Sequence, residues 1–240
     1  MFLLDTHMHF DLYRDRNAVI DYVEAHASYT IGMTNLPTLF MRYEPIVRNR
    51  KYFRLALGLH PELAAEYRDQ LTQFTNCVHM TKYIGEVGLD YTTSDMKNRA
   101  IQANVFSEIV RCCTEKHILS VHSRRASADV LDILQHFPGK VILHWYSGND
   151  CDLEKALERG YYFSINHQMV QSNHGQHIIS KLPLNRLLIE SDAPFSKGLR
   201  SNYSYDYIHT IYDYLKSSYE LSESRIDELF RDNFKRILMT

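Results

Sequence analysis

At 240 residues the chain suits one large α/β domain or two small ones, with enough length to bury a substantial core. Its 45% hydrophobic and 23% charged content is ordinary for a folded soluble protein. A formal net charge of −2 excludes a generally basic nucleic-acid coat. It leaves room for a metal site with a local basic rim, which can hold a phosphodiester without a global positive field.

In chain order, the first predicted element is a buried strand over 2–7. It ends at Asp5-Thr6-His7-Met8-His9, where residues two apart face the same way, so His7 and His9 aim two imidazoles at one point. Further strand-like runs follow at 29–34, 53–58, 83–88, 119–122, 140–144, 161–165 and 187–191. Helical patterns lie between them at 16–27, 37–50, 62–76, 97–116, 125–136, 150–159 and 173–181, with a helical tail from 204. Strands alternating with helices signal a parallel sheet, and near-continuous apolar runs such as Val141-Ile142-Leu143 suit strands covered on both faces. The expected fold class is α/β, a single TIM-like (β/α)8 barrel forming one domain over 1–240.

Candidate ligands recur at the strand ends. His60 follows the third strand, Glu86 sits in the fourth, His122 and His144 end the fifth and sixth, and Asp192 ends the eighth. In a barrel these ends form the face where active sites are built. Each residue alone could be an ordinary polar loop residue, and Asp192 before Ala-Pro could simply open a turn. Six ligand candidates at equivalent positions (His7, His9, Glu86, His122, His144 and Asp192) make about the inventory of a two-metal centre. The other eight histidines read as surface or packing residues. Gly85 and Gly88 flank Glu86 in a strand, which suggests either a close approach to the backbone or a bulge with tight barrel packing. Asp11 could orient a ligand imidazole or cap the following helix. The cysteines Cys77, Cys112, Cys113 and Cys151 lack CxxC spacing and, with no signal peptide, are expected to be reduced thiols in a cytoplasmic protein. No apolar stretch approaches the ~18 residues of a membrane span.

The motifs at 5–11, 58–61, 85–90, 122–124, 144–148 and 190–194 come in the order of the TatD family of metal-dependent DNases, which the chain resembles over essentially its whole length. The closing Asn233-Phe234 and Ile237-Leu238 are similar to that family's last helix. The stretches 56–63, 121–126 and 143–148 resemble most the TatD-like member of the bacterial Qat anti-phage cassette. The resemblance implies two divalent metal ions, Mg, Mn or Zn. His7, His9, Glu86 and Asp192 would hold one, and Glu86, His122 and His144 the other, with Glu86 bridging and His60 reaching the substrate phosphate. It implies a deoxyribonuclease, with DNA and other Qat proteins as partners. Single strands or ends are the expected substrate, because a mouth walled by Trp145 and Tyr146 admits a strand terminus and the net charge of −2 offers no broad grip on duplex.

Two departures fall near the site: Trp145-Tyr146 replaces the family's Cys-Phe, and the segment 163–168 lacks the usual glycine-rich continuation. Asp192 is the candidate general base. Arg124 and Arg125 could donate to phosphate oxygens or remain solvated. Trp145 and Tyr146 could stack an unpaired base or fill the barrel mouth. Two other functions compete. One is hydrolysis of a small amide, lactone or nucleobase by an amidohydrolase-like barrel, many of which carry a bridging lysine on strand four. The other is a metal-binding subunit of a larger assembly with little activity.

Overall fold

The computed structural model describes residues 1–239. The elements are β1 (Leu4–Met8), α1 (Arg16–Ala25), β2 (Tyr29–Gly32), α2 (Pro37–Val47), β3 (Phe53–Leu55) and α3 (Leu71–Cys77). They continue as β4 (Tyr83–Gly88), α4 (Met96–Cys112), β5 (Ile118–His122), α5 (Ser127–Ile133), β6 (Lys140–His144) and α6 (Asp150–Glu158). The chain ends with β7 (Tyr162–Ile165), α7 (His167–Val170), α8 (Asn173–Lys181), β8 (Leu187–Ile189), α9 (Tyr207–Tyr219) and α10 (Glu223–Leu238).

Every residue of β1 and of β4 is buried, on both faces, which a parallel sheet covered by helices accounts for. Parallel ladders run β1-β2-β3 and β4-β5-β6-β7-β8. Two short seams join these arcs. Leu57 N donates to Tyr83 O at 3.0 Å and Gly85 N to Leu57 O at 2.9 Å; on the other side Asp192 N donates to His7 O at 2.9 Å and His9 N to Ala193 O at 2.8 Å. The ring therefore closes as a TIM-like barrel, and the second seam is built from the backbone of three ligand candidates.

Register shifts interrupt β1 between Asp5 and Met8 and β4 between Ile84 and Val87, next to His7 and Glu86. Gly88, at φ +135°, lies so close to β5 that a Cβ would sit 2.1 Å from His122 O, and one on Gly85 would meet Met33 Sδ at 2.7 Å. These glycines serve strand packing and a bulge. Asp11 has neither role considered for it. Asp15 caps α1 through Ala18 N at 2.9 Å, whereas the Asp11 carboxylate takes Asn35 N and Nδ2, both at 3.1 Å, and ties the first loop to the second.

Three helical expectations change. The 62–76 pattern splits into 3-10 turns at Pro61–Leu63 and Arg68–Gln70 before α3, because Tyr67 leaves helical geometry at φ −112°, ψ 30°. Helix α4 stops at Cys112, since Cys113 is extended and the His117 ring accepts from Thr114 N at 2.8 Å. Helix α7 was not foreseen; Asn166 starts it by accepting from Gln168 N and Met169 N. The four cysteines are free. No helix among the described residues is long and apolar enough to cross a membrane.

Glu24 at the end of α1 accepts from the backbone N–H groups of Lys51, Tyr52 and Phe53 at 3.1, 2.7 and 2.8 Å, fixing the entry of β3. Partial burial raises its pKa, but those three donors outweigh it and the net shift is downward. A depressed carboxylate stabilises the fold above its unfolded pKa, and that contribution is lost as pH falls through the folded value. Glu24→Gln is expected to cost about 1 kcal/mol at pH 7. The gap to wild type should close below about pH 4, read by denaturant unfolding at several pH values.

Candidate metal centre

The ends of β1, β4, β5, β6 and β8 bring His7, His9, Glu86, His122, His144 and Asp192 together, with His60 beside them. Glu86, 1% exposed, lies between two nitrogen clusters. Its Oε2 is 2.9 Å from His9 Nε2, 3.2 Å from His60 Nε2 and 3.5 Å from His7 Nε2. Its Oε1 is 2.7 Å from His144 Nε2 and in short contact with His122 Nδ1. Asp192 Oδ1 completes the first cluster, 3.5 Å from His9 Nε2 and 3.8 Å from His7 Nε2.

Donor chemistry fits divalent cations. His7 Nε2 and His9 Nε2 lie 3.2 Å apart, as do His122 Nδ1 and His144 Nε2. Ligands held about 2.1 Å from one tetrahedral ion are about 3.4 Å apart, so the observed spacings match two sets of shared ligands. The buried His9 Nδ1 and His144 Nδ1 have no hydrogen-bond partner, so the polar contacts of each ring all fall on the Nε2 that faces the cluster.

Electrostatics separates the roles of the imidazoles. Burial pushes the His7 pKa down to about 3, helped by His144, whose ring stacks on it at 3.9 Å. His7 is thereby neutral, with Nδ1 2.7 Å from Ser120 Oγ and Nε2 turned toward His9 and Glu86. Burial opposes charging His122, yet Glu86 and Asp90 carry its pKa up to about 10. Burial would raise Glu86, but His60, His144 and His122 hold it well below the usual carboxylate range. A cation and these protons compete for the same lone pairs.

His60 differs from the other rings. Its Nδ1 accepts from Glu62 N at 3.2 Å, so the neutral ring carries its proton on Nε2 and points an N–H donor into the site. Asp90, which spacing did not single out, has Oδ2 2.8 Å from His122 Nε2 and fixes which nitrogen of that ring faces Glu86. Its signal was present, since Asp90 stands two residues past β4 at the same barrel face. Glu190, wholly buried and held by Ser164 and Asn166, also escaped the sequence reading, and its Oε2 lies 3.9 Å from His144 Nδ1.

A cavity of about 400 Å³ opens over the cluster, lined by residues that include His60, Arg124, Trp145 and Phe195. Tyr146 is not among them. It is 1% exposed, packs edge-on against Phe163 at 5.7 Å and donates its hydroxyl to Asn149 O, so it cannot stack a base in the mouth. Arg125 is also absent from the lining. Both corrections share a cause: Trp145 (φ +37°) and Arg125 (φ +56°) are left-handed, and the chain turns sharply there. Asp192 is likewise left-handed at φ +48°, and such conformations gather at functional sites. Strand four carries Glu86, while Lys82 lies over the Tyr83 ring at 5.4 Å and supplies no bridging group.

The model of the family described as TatD related DNase matches residues 4–239. The chain belongs to the TatD family of metal-dependent hydrolases. It is 29% identical over 268 residues to an uncharacterized metal-dependent hydrolase of Buchnera aphidicola, covering 99% of both chains. It is 26% identical over 217 residues to the human deoxyribonuclease TATDN3, covering 80% of this chain and 78% of that one. Among solved structures, a TatD homologue from Escherichia coli superposes with a TM-score of 0.84 at 21% identity, covering 98% and 97% of the two chains, a likeness of fold.

Proposed function

We propose that this TatD-family site hydrolyses DNA phosphodiester bonds through two divalent ions, acting on single strands or ends. The observation that carries the reading is Glu86, a buried carboxylate with one oxygen in each nitrogen cluster. His7, His9, Glu86 and Asp192 would hold one ion; Glu86, His122 and His144 the other. Bound there, Mg, Mn or Zn supplies charge stabilisation of phosphoryl oxygens and a water acidified toward neutrality. Asp192 takes the proton of the attacking water as general base. His60 donates Nε2–H to a phosphate oxygen, Arg124 adds a donor from the rim, and Trp145 offers a face to an unpaired base. Deoxyribonuclease relatives such as TATDN3 support DNA as substrate. The motifs at 56–63, 121–126 and 143–148 support a place beside other proteins of an anti-phage cassette. Glu86 in place of a strand-four lysine disfavours the amidohydrolase alternative.

The test compares matched single-stranded, frayed and blunt duplex DNA over a metal series. Single-stranded and frayed substrates should be cleaved faster; equal rates on all three would overturn the strand preference, and no cleavage with any metal would favour an assembly subunit. Trp145→Ala is expected to raise KM with metal content unchanged, consistent with about 1–3 kcal/mol per stacked base. His60→Ala should slow turnover more than it lowers metal occupancy.

A further inference from the structure

Phe195 is out of place by the ordinary rules of burial. Nine large hydrophobic side chains stand exposed among the described residues, and of these only Phe195, 60% exposed, lines the cavity over the candidate metal ligands. Its position is fixed. Pro194 precedes it, its backbone N–H donates to Asp192 O at 2.9 Å, and its ring meets the His9 ring edge-on at 5.3 Å and 83°. An aromatic ring is thus anchored to two candidate ligands with much of its surface left bare toward the cavity. An exposed apolar surface in a concave site marks a place where a ligand binds.

We infer that Phe195 is the stacking platform for the nucleobase next to the scissile phosphate and thereby selects unpaired nucleotides. The inference rests on the phosphodiesterase reading above and adds to it the part of the nucleotide that is recognised. The phosphate is drawn to the divalent ions that the ligand cluster would hold and to the donors of His60 and Arg124 at its edge. A base attached to that phosphate needs an apolar, planar surface within reach, and Phe195 borders the cluster directly through His9. A base inside a duplex already has both faces covered by its neighbours, so only a frayed, terminal or single-stranded base can exchange solvent for the Phe195 ring. Any of the four bases offers such a face, so the selection is for pairing state rather than sequence.

Two single-stranded oligonucleotides test this, identical except that the nucleotide at the cleaved phosphate carries either its base or an abasic tetrahydrofuran. Wild type should prefer the base-bearing strand by about 5- to 150-fold in kcat/KM, the range that stacking free energy implies. Phe195→Ala should fall to the abasic level on the normal strand, change little on the abasic strand and keep its metal content; Phe195→Tyr should keep the preference. Equal losses on both strands, or an undiminished preference in Phe195→Ala, would overturn the role. If wild type cleaves neither strand with any metal, the phosphodiesterase reading fails. Equilibrium binding of the same pair by fluorescence anisotropy then decides for Phe195: a base preference erased by Phe195→Ala supports the platform, and its absence in wild type overturns it.

Discussion

Replacing Glu86 with alanine is expected to abolish binding of the pair of ions and to lower DNA hydrolysis by more than about 100-fold, beyond what loss of a ligand's orienting partner costs. Glu86 is the one carboxylate with an oxygen in each cluster, 2.9 Å from His9 Nε2 on one side and 2.7 Å from His144 Nε2 on the other. Without it, two cations would face each other in a buried site with no anion between them. The same deletion removes one of the two carboxylates that raise the His122 pKa, leaving Asp90 as the other. Metal titration and elemental analysis of the folded variant give the answer. Unchanged stoichiometry would refute the assignment.

The second large effect is expected at Asp192. Asp192→Asn removes the group placed to accept the proton of the attacking water, and turnover should fall by about 10²- to 10⁴-fold, the range of general-base contributions. Metal occupancy should fall less than in Glu86→Ala, because His7, His9 and Glu86, with Glu86 Oε2 2.9 Å from His9 Nε2 and 3.5 Å from His7 Nε2, would remain around the first ion. The split matters more than either number. Loss of metal in step with activity would make Asp192 a ligand only, and undiminished turnover would remove it from the mechanism.

What the sequence disclosed and what it hid follow one physical division. Strands announce themselves locally, through runs such as Leu187-Leu188-Ile189 between helical patterns, and a ligand at a strand's end inherits its direction from the strand. His7, His9, His122 and His144 were legible for that reason. Loop residues have no such period. Trp145 and Tyr146 are adjacent, yet the left-handed turn at Trp145 leaves one on the cavity and sends the other into the core. Phe195 depends on the turn after Asp192, and the pairing of Asp90 with His122, though Asp90 stands at a strand end, on the approach of Leu89 N to His122 O at 3.0 Å. A closed barrel was expected from the element order, but the residues of the β3–β4 and β8–β1 seams were not legible, since a closure of two or three backbone hydrogen bonds leaves no pattern in the chain.

The most direct test of a two-metal phosphodiesterase is hydrolysis of a labelled single-stranded oligonucleotide by protein stripped of metal and then titrated with Mg, Mn or Zn. The expected result is no cleavage by the stripped protein, with activity restored as occupancy rises to two ions per chain and strongly reduced in Asp192→Asn at matched occupancy. Cleavage that persists in excess chelator, or no cleavage at full occupancy with any of the three metals, would contradict it.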